Sequence, residues 1–189
     1  HNYAVHLDTA AYSVLDLTDA NRAGIECWKA DMNLELFTAS GRTELVRQMS
    51  DRFGRQPPLP DWAISGAIVG LKDGQDTFAR FEKIAASGAA LTGLWCEDWI
   101  GIRQTSFGKR LFWDWQWNAT RYPDLPDRIA ALAERGVRFL GYVNPYLAVD
   151  GPLFAEAAAL GYLALRQDSE EPYAVDFGEF DAGVVDFTN

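Results

Sequence analysis

Glu97, Asp98, Arg103, Lys109, Arg110 and Asp114 are interleaved with five of the chain's seven tryptophans in one stretch, GLWCEDWIGIRQTSFGKRLFWDWQWN. No short helix or strand can bury so many large rings and still gather these charges on one polar face. Tryptophan has an apolar body and a single N–H donor, so it suits surfaces that are wet on one side. Aromatic plates beside carboxylates and clustered cations suit a polar, ring-shaped, anionic ligand such as an acidic sugar. The competing reading of the same residues is a core packed beneath a long loop.

Composition narrows the classes of partner. The chain has 189 residues, 48% apolar and 23% charged, which is globular rather than disordered or fibrous. A net charge of −10 argues against a nucleic-acid partner, because a phosphate backbone demands a basic face. Affinity for an anion must then come from a local cationic cluster. Cys27 and Cys96 form neither a disulfide framework nor a metal spacing, and two histidines near the start, His1 and His6, argue against a histidine metal site or serine triad. No apolar run reaches the roughly 20 residues that span a bilayer. No signal peptide is visible, which points to the cytoplasm. The missing initiator Met and the abrupt end at VVDFTN suggest a segment of something longer. Homo-oligomer formation is left open.

The elements that must position the aromatic stretch fall into two groups. YAVHLD, YSVLDLT, AGIECWKA and LELFTA read as strands, resembling the last strands of an antiparallel sandwich. Thr43–Phe53 has helical spacing, with Thr43 as a candidate cap. Residues 1–54 are thus expected to end a β-sandwich domain, and residues 55–62, RQPPLPDW, to form a proline-stiffened linker. Beyond it the rhythm becomes strand, then helix. Strands are expected at 63–70, 90–98 and 137–146, and helices at 76–86, 125–135 and 153–160. The last two helices should stop at Gly136 and Gly161. The strand at 63–70 reads as buried on both faces. A hairpin is expected in the remainder. Repeated strand–helix units imply an α/β fold with a parallel sheet. Without a Gly-rich phosphate loop, residues 63–189 read as the first three units of a (β/α)8 barrel. Barrel sites lie at the carboxyl ends of strands, where the aromatic stretch hangs.

Five stretches carry a resemblance to a known family: LPDWAISGAIVGLKDG, the aromatic stretch itself, RYPDL, FLGYVNPYL and FGEFDAGVVDFTN. They resemble glycoside hydrolase family 31, and within it the sulfoquinovosidase group. The pattern Asp98-Trp99, Gly101-Ile102-Arg103, Thr105-Ser106-Phe107-Gly108, Arg110, Trp113 and Trp115 is the specific part. The resemblance implies that Glu97 contacts hydroxyls of the sugar in the −1 subsite. It implies that Arg110 and Trp113 hold a sulfonate and that Leu111 contributes a backbone contact. The residue types suit that role, since arginine offers a planar fork of donors that keeps its charge, and the indole adds one neutral donor. Spacing three apart on a turn or helical segment would put Arg110 and Trp113 on one side.

Asp176-Phe177-Gly178-Glu179 resembles the sequence following the family's nucleophile, but its flanks instead match a hairpin upstream of that residue. No residue of this chain is therefore assigned as catalytic; the nucleophile and acid/base aspartates are expected beyond Asn189. The chain alone is expected to be inactive and to fold poorly. The implied activity of the longer enzyme is retaining hydrolysis of α-sulfoquinovosides, including sulfolipid headgroup glycosides, with a small sulfosugar glycoside as ligand and no cofactor. Two alternatives stand beside it: another family 31 α-glucosidase, and a non-catalytic sugar-binding module.

Overall fold

Alternating apolar and polar residues in the first forty positions form four strands: β1 (Tyr3–Leu7), β2 (Ser13–Asp19), β3 (Arg22–Cys27) and β4 (Leu34–Thr38). In the computed structural model, which describes residues 2–188, β1 pairs with β4 and β2 with β3, both antiparallel. An apolar cavity of about 440 Å³ is lined by Tyr3, Val5, Leu15, Leu17 and Ile25 from β1, β2 and β3. Helix α1 (Arg42–Phe53) starts two residues earlier than Thr43 capping would require. Extended Gly41 takes the cap position and Thr43 lies inside the first turn. A bidentate Arg52–Glu35 pair and edge-on contacts of Phe53 with His6 and Phe37 tie α1 to the β1–β4 pair. These residues form one compact unit, His1–Pro58; Leu59–Asn189 forms a second.

In the second unit the proline-rich segment is not a linker throughout. Asp61–Ile64 forms a short helix, α2, with Pro60 in an extended conformation at its cap. The following strand, β5 (Ala67–Leu71), is consequently shorter than the apolar run 63–70 suggested. Helix α3 (Asp76–Ala86) leads to β6 (Leu91–Cys96), and α4 (Leu125–Glu134) leads to β9 (Arg138–Gly141). The aromatic hairpin, β7 (Ile102–Thr105) with β8 (Gly108–Leu111), projects between β6 and α4. The sheet order is β5-β6-β9, all parallel. With β6 as its one sheet neighbour among the described residues, β5 is largely exposed rather than buried on both faces.

Periodicity explains the packing. Phe78, Phe81 and Ile84 recur at helical spacing on α3 and meet Leu71, Leu94, Leu132 and Val137. Phe81 and Leu94 are fully buried, and each such side chain contributes about 1.5–3 kcal/mol relative to exposure. Gly136 and Gly161 follow α4 and α5 (Pro152–Ala159) at φ +74° each, the left-handed conformation that ends helices.

The third repeat departs from the first two. After β9 the chain forms β10 (Tyr146–Ala148), α5, then β11 (Ala174–Asp176) and β12 (Asp181–Val184). These three strands make an antiparallel sheet ordered β10-β12-β11. Helix α5 packs on it, with Phe154 and Ala157 against Leu147 of β10. The β11–β12 hairpin contains Asp176-Phe177-Gly178-Glu179, so this segment is a turn, as its flanks indicated. No helix among the described residues is long and apolar enough to cross a membrane.

Candidate functional site

A cleft of about 510 Å³ opens at the carboxyl ends of the parallel strands. Lys72 and Asp73 follow β5 into it, Glu97 and Asp98 follow β6, and Lys109, Arg110 and Leu111 enter from β8. Both strand ends point here because the sheet is parallel, which is how barrel folds assemble polar sites.

Glu97 accepts a hydrogen bond from Lys72 Nζ at 2.9 Å, and that contact raises the lysine's pKa. Lys72 is not legible as a site residue in the sequence, because its partner lies 25 positions away and its local sequence, LKDG, reads as a turn. Arg103 is paired elsewhere, with Asp150 at 2.8 and 3.1 Å. Among the described residues Arg110 has no ion pair: Asp114, four residues on, is buried and accepts the Leu153 N–H at 3.2 Å instead. Burial raises the Asp114 pKa. Lys109 also lacks a carboxylate partner among the described residues. The cleft thus presents two uncommitted cations next to a Lys–Glu pair.

Beneath the cleft runs a buried polar network. Asp98, only 1% exposed, accepts Tyr122 Oη at 2.5 Å and Arg121 Nε at 2.6 Å, and the Cys96 thiol lies 3.4 Å away. Tyr122 Oη also meets Thr77 Oγ1 at 3.0 Å and receives the Gly74 N–H. Burial raises the Tyr122 pKa and pushes the Cys96 thiol up to about 12. Since the thiolate is the nucleophile, iodoacetamide at pH 8 should label half-buried Cys27 in the folded protein and leave Cys96 untouched. Peptide mapping by mass spectrometry checks this; equal labelling would mean the network opens freely.

Glu97, Arg110 and Leu111 line the cleft together, while Trp113 is not among its lining residues. The chain here is a hairpin strand running into irregular backbone, not a turn or helix, so the helical-face argument for a spacing of three does not apply to Arg110 and Trp113. Trp113 stacks on Tyr146 at 5.4 Å and meets Phe177 and Phe180 edge-on. Its indole N–H is buried without an acceptor. The other rings divide differently from the aromatic-platform reading. Trp99, Trp115 and Trp117 donate to the carbonyls of Tyr142, Asn144 and Tyr122, which makes them scaffold. No group of three or more His, Cys, Asp or Glu among the described residues is arranged to hold a metal ion.

A parallel strand–helix sheet with a charged cleft at its carboxyl edge defines a wall of a barrel-type domain. The chain belongs to glycoside hydrolase family 31: the model of that family's TIM-barrel domain matches residues 56–189. It is 58% identical over 187 residues to a sulfoquinovosidase of Agrobacterium fabrum (strain C58), and 39% identical over 188 residues to one of Escherichia coli (strain K12). Each alignment takes in 99% of this chain and 28% of the relative. A solved family 31 sulfoquinovosidase from E. rectale, in complex with the aza-sugar inhibitor IFGSQ, superposes with a TM-score of 0.87 at 41% identity, over 100% of this chain and 28% of that one. The chain therefore spans little more than a quarter of the length of these relatives.

Proposed function

We propose that this segment belongs to a retaining α-glycosidase that hydrolyses α-sulfoquinovosides, and that it supplies the anion-binding side of the −1 subsite. The observation that carries this reading is Arg110, a guanidinium with no ion pair among the described residues, in the cleft at the carboxyl ends of the parallel strands. A neutral sugar gives such a group nothing to neutralise. In this reading Arg110 and the Trp113 N–H take the sulfonate, and Leu111 adds a backbone contact. Glu97, oriented by Lys72, takes sugar hydroxyls. The unsatisfied Trp113 donor supports the assignment, because an unmet buried N–H is unfavourable by about 1–3 kcal/mol until an acceptor arrives. The nucleophile and acid/base carboxylates come from elsewhere in the longer enzyme, which forms and hydrolyses a covalent glycosyl-enzyme. Residues 1–54 are the closing strands of a β-sandwich, and the ligand is a small sulfosugar glycoside rather than a nucleic acid.

A second reading, a family 31 α-glucosidase for neutral sugars, draws on one observation: Trp113 packs among three rings outside the cleft lining. The two are separated by the longer enzyme's turnover of an aryl α-sulfoquinovoside and the matching α-glucoside. A preference for the sulfonate in kcat/KM of at least about a hundredfold is expected, since sites built for a polar group reject analogues lacking it. The first product seen by NMR should be the α-anomer. A preference for the glucoside overturns the proposal.

A further inference from the structure

Arg103 stands directly opposite Arg110 in the β7–β8 register. Like charges so placed repel and destabilise a hairpin. The structure answers this with Asp150, whose carboxylate takes both terminal nitrogens of Arg103, whose side chain is only 14% exposed. The guanidinium also lies between two rings, 4.6 Å from the centroid of Phe112 and 4.4 Å from that of Phe180. Phe112 sits two residues after Arg110, and Phe180 is one of the rings against which Trp113 rests, at 5.3 Å. Arg103 is thus joined to both residues assigned to the anion, one across the hairpin and one through Phe180. A second tie acts at the hairpin tip, where Glu179 accepts the Ser106 N–H at 2.9 and 3.0 Å and its hydroxyl.

We propose that Arg103, neutralised by Asp150 and clasped by Phe112 and Phe180, is a positioning residue that sets anion selectivity by fixing Arg110 and Trp113. The proposal rests on the sulfonate reading of those two residues. Pairing with Asp150 offsets the cross-strand repulsion and leaves Arg110, like Lys109, without a carboxylate partner among the described residues. The ring contacts fix the wall behind Trp113. Lysine in place of Arg103 would keep the charge but lose the fork and the flat face that stacks. Glu179, in a segment that looks like part of a catalytic motif, serves the same end as an anchor for the hairpin.

The test uses the full-length enzyme containing this chain, with Arg103→Lys, Asp150→Asn, Asp150→Glu and, separately, Arg110→Lys. Arg103→Lys and Asp150→Asn should raise KM for an aryl α-sulfoquinovoside about tenfold while leaving kcat within about twofold, because misplacing a binding group weakens capture first. The matching glucoside should change far less. Asp150→Glu should recover most of the loss. Because Asp150 is surface-exposed, its two variants carry the test if Arg103→Lys yields no folded enzyme. Loss of selectivity in Arg110→Lys, with KM in the Arg103 and Asp150 variants within about twofold of the parent rather than misplaced, would overturn the positioning role and leave the sulfonate reading standing. Equal losses on both substrates in the Arg103 and Asp150 variants would make Arg103 a scaffold residue and also overturn it. Equal losses in Arg110→Lys would remove the sulfonate reading itself, and this proposal with it.

Discussion

Arg110→Lys in the full-length enzyme should lower kcat/KM for a sulfoquinovoside by roughly ten- to a hundredfold, and for the matching glucoside far less. The substitution keeps the positive charge and removes the paired donor geometry. A hydrogen bond to a charged group contributes about 1.5–3 kcal/mol, and each 1.36 kcal/mol is about tenfold in rate when the contact persists in the transition state. The side chain has no other ion-pair partner among the described residues, so its loss should not propagate through a salt-bridge network. The informative quantity is the ratio of the two losses, since a folding defect lowers both alike. A ratio near one would move the neutral α-glucosidase reading ahead.

Asp98→Asn should destabilise the parallel-sheet unit by about 3–5 kcal/mol, the range seen when one member of a buried ion pair is removed. Asp98 is almost fully buried and satisfies Tyr122, Arg121 and the Cys96 thiol at once. Asparagine has similar shape but no charge, and its NH2 group would confront donors. Arg121 would be left without its counter-charge. Tyr122→Phe should be milder, about 1–2 kcal/mol, because Arg121 and Asp98 remain paired. Urea unfolding followed by tryptophan fluorescence reads both. A loss below about 1 kcal/mol for Asp98→Asn, well under the buried-pair range, would show that the network does not hold the floor of the cleft.

The parallel sheet is legible in the sequence because α3 and α4 carry strong helical periodicity and β6 is bounded by turn residues. The start of β5 is not, because AISGAIVG has no alternation, and a short apolar run does not distinguish strand from helix. Three tryptophans that look like ligand plates are scaffold, since their acceptors are backbone carbonyls, that of Trp99 lying 43 residues away. Composition carries no information about such partners. The β7–β8 hairpin does leave a signal, TSFG, where Gly108 takes φ +98° just after the two-residue turn. Lys72 and Asp150 leave none, because each acquires its meaning only from a residue far along the chain.

Asp150 and Glu179 reach the aromatic hairpin from 47 and 73 residues downstream. A transplant of residues 101–117 into a neutral-sugar relative would therefore carry Arg110 across without the counter-charge of its cross-strand neighbour and without the ring behind Trp113. The portable unit is a pair of segments, the hairpin together with the antiparallel sheet of β10, β11 and β12. Recombination or design that carries the hairpin without that sheet should yield proteins in which the residues proposed to hold the anion are present and the preference is lost.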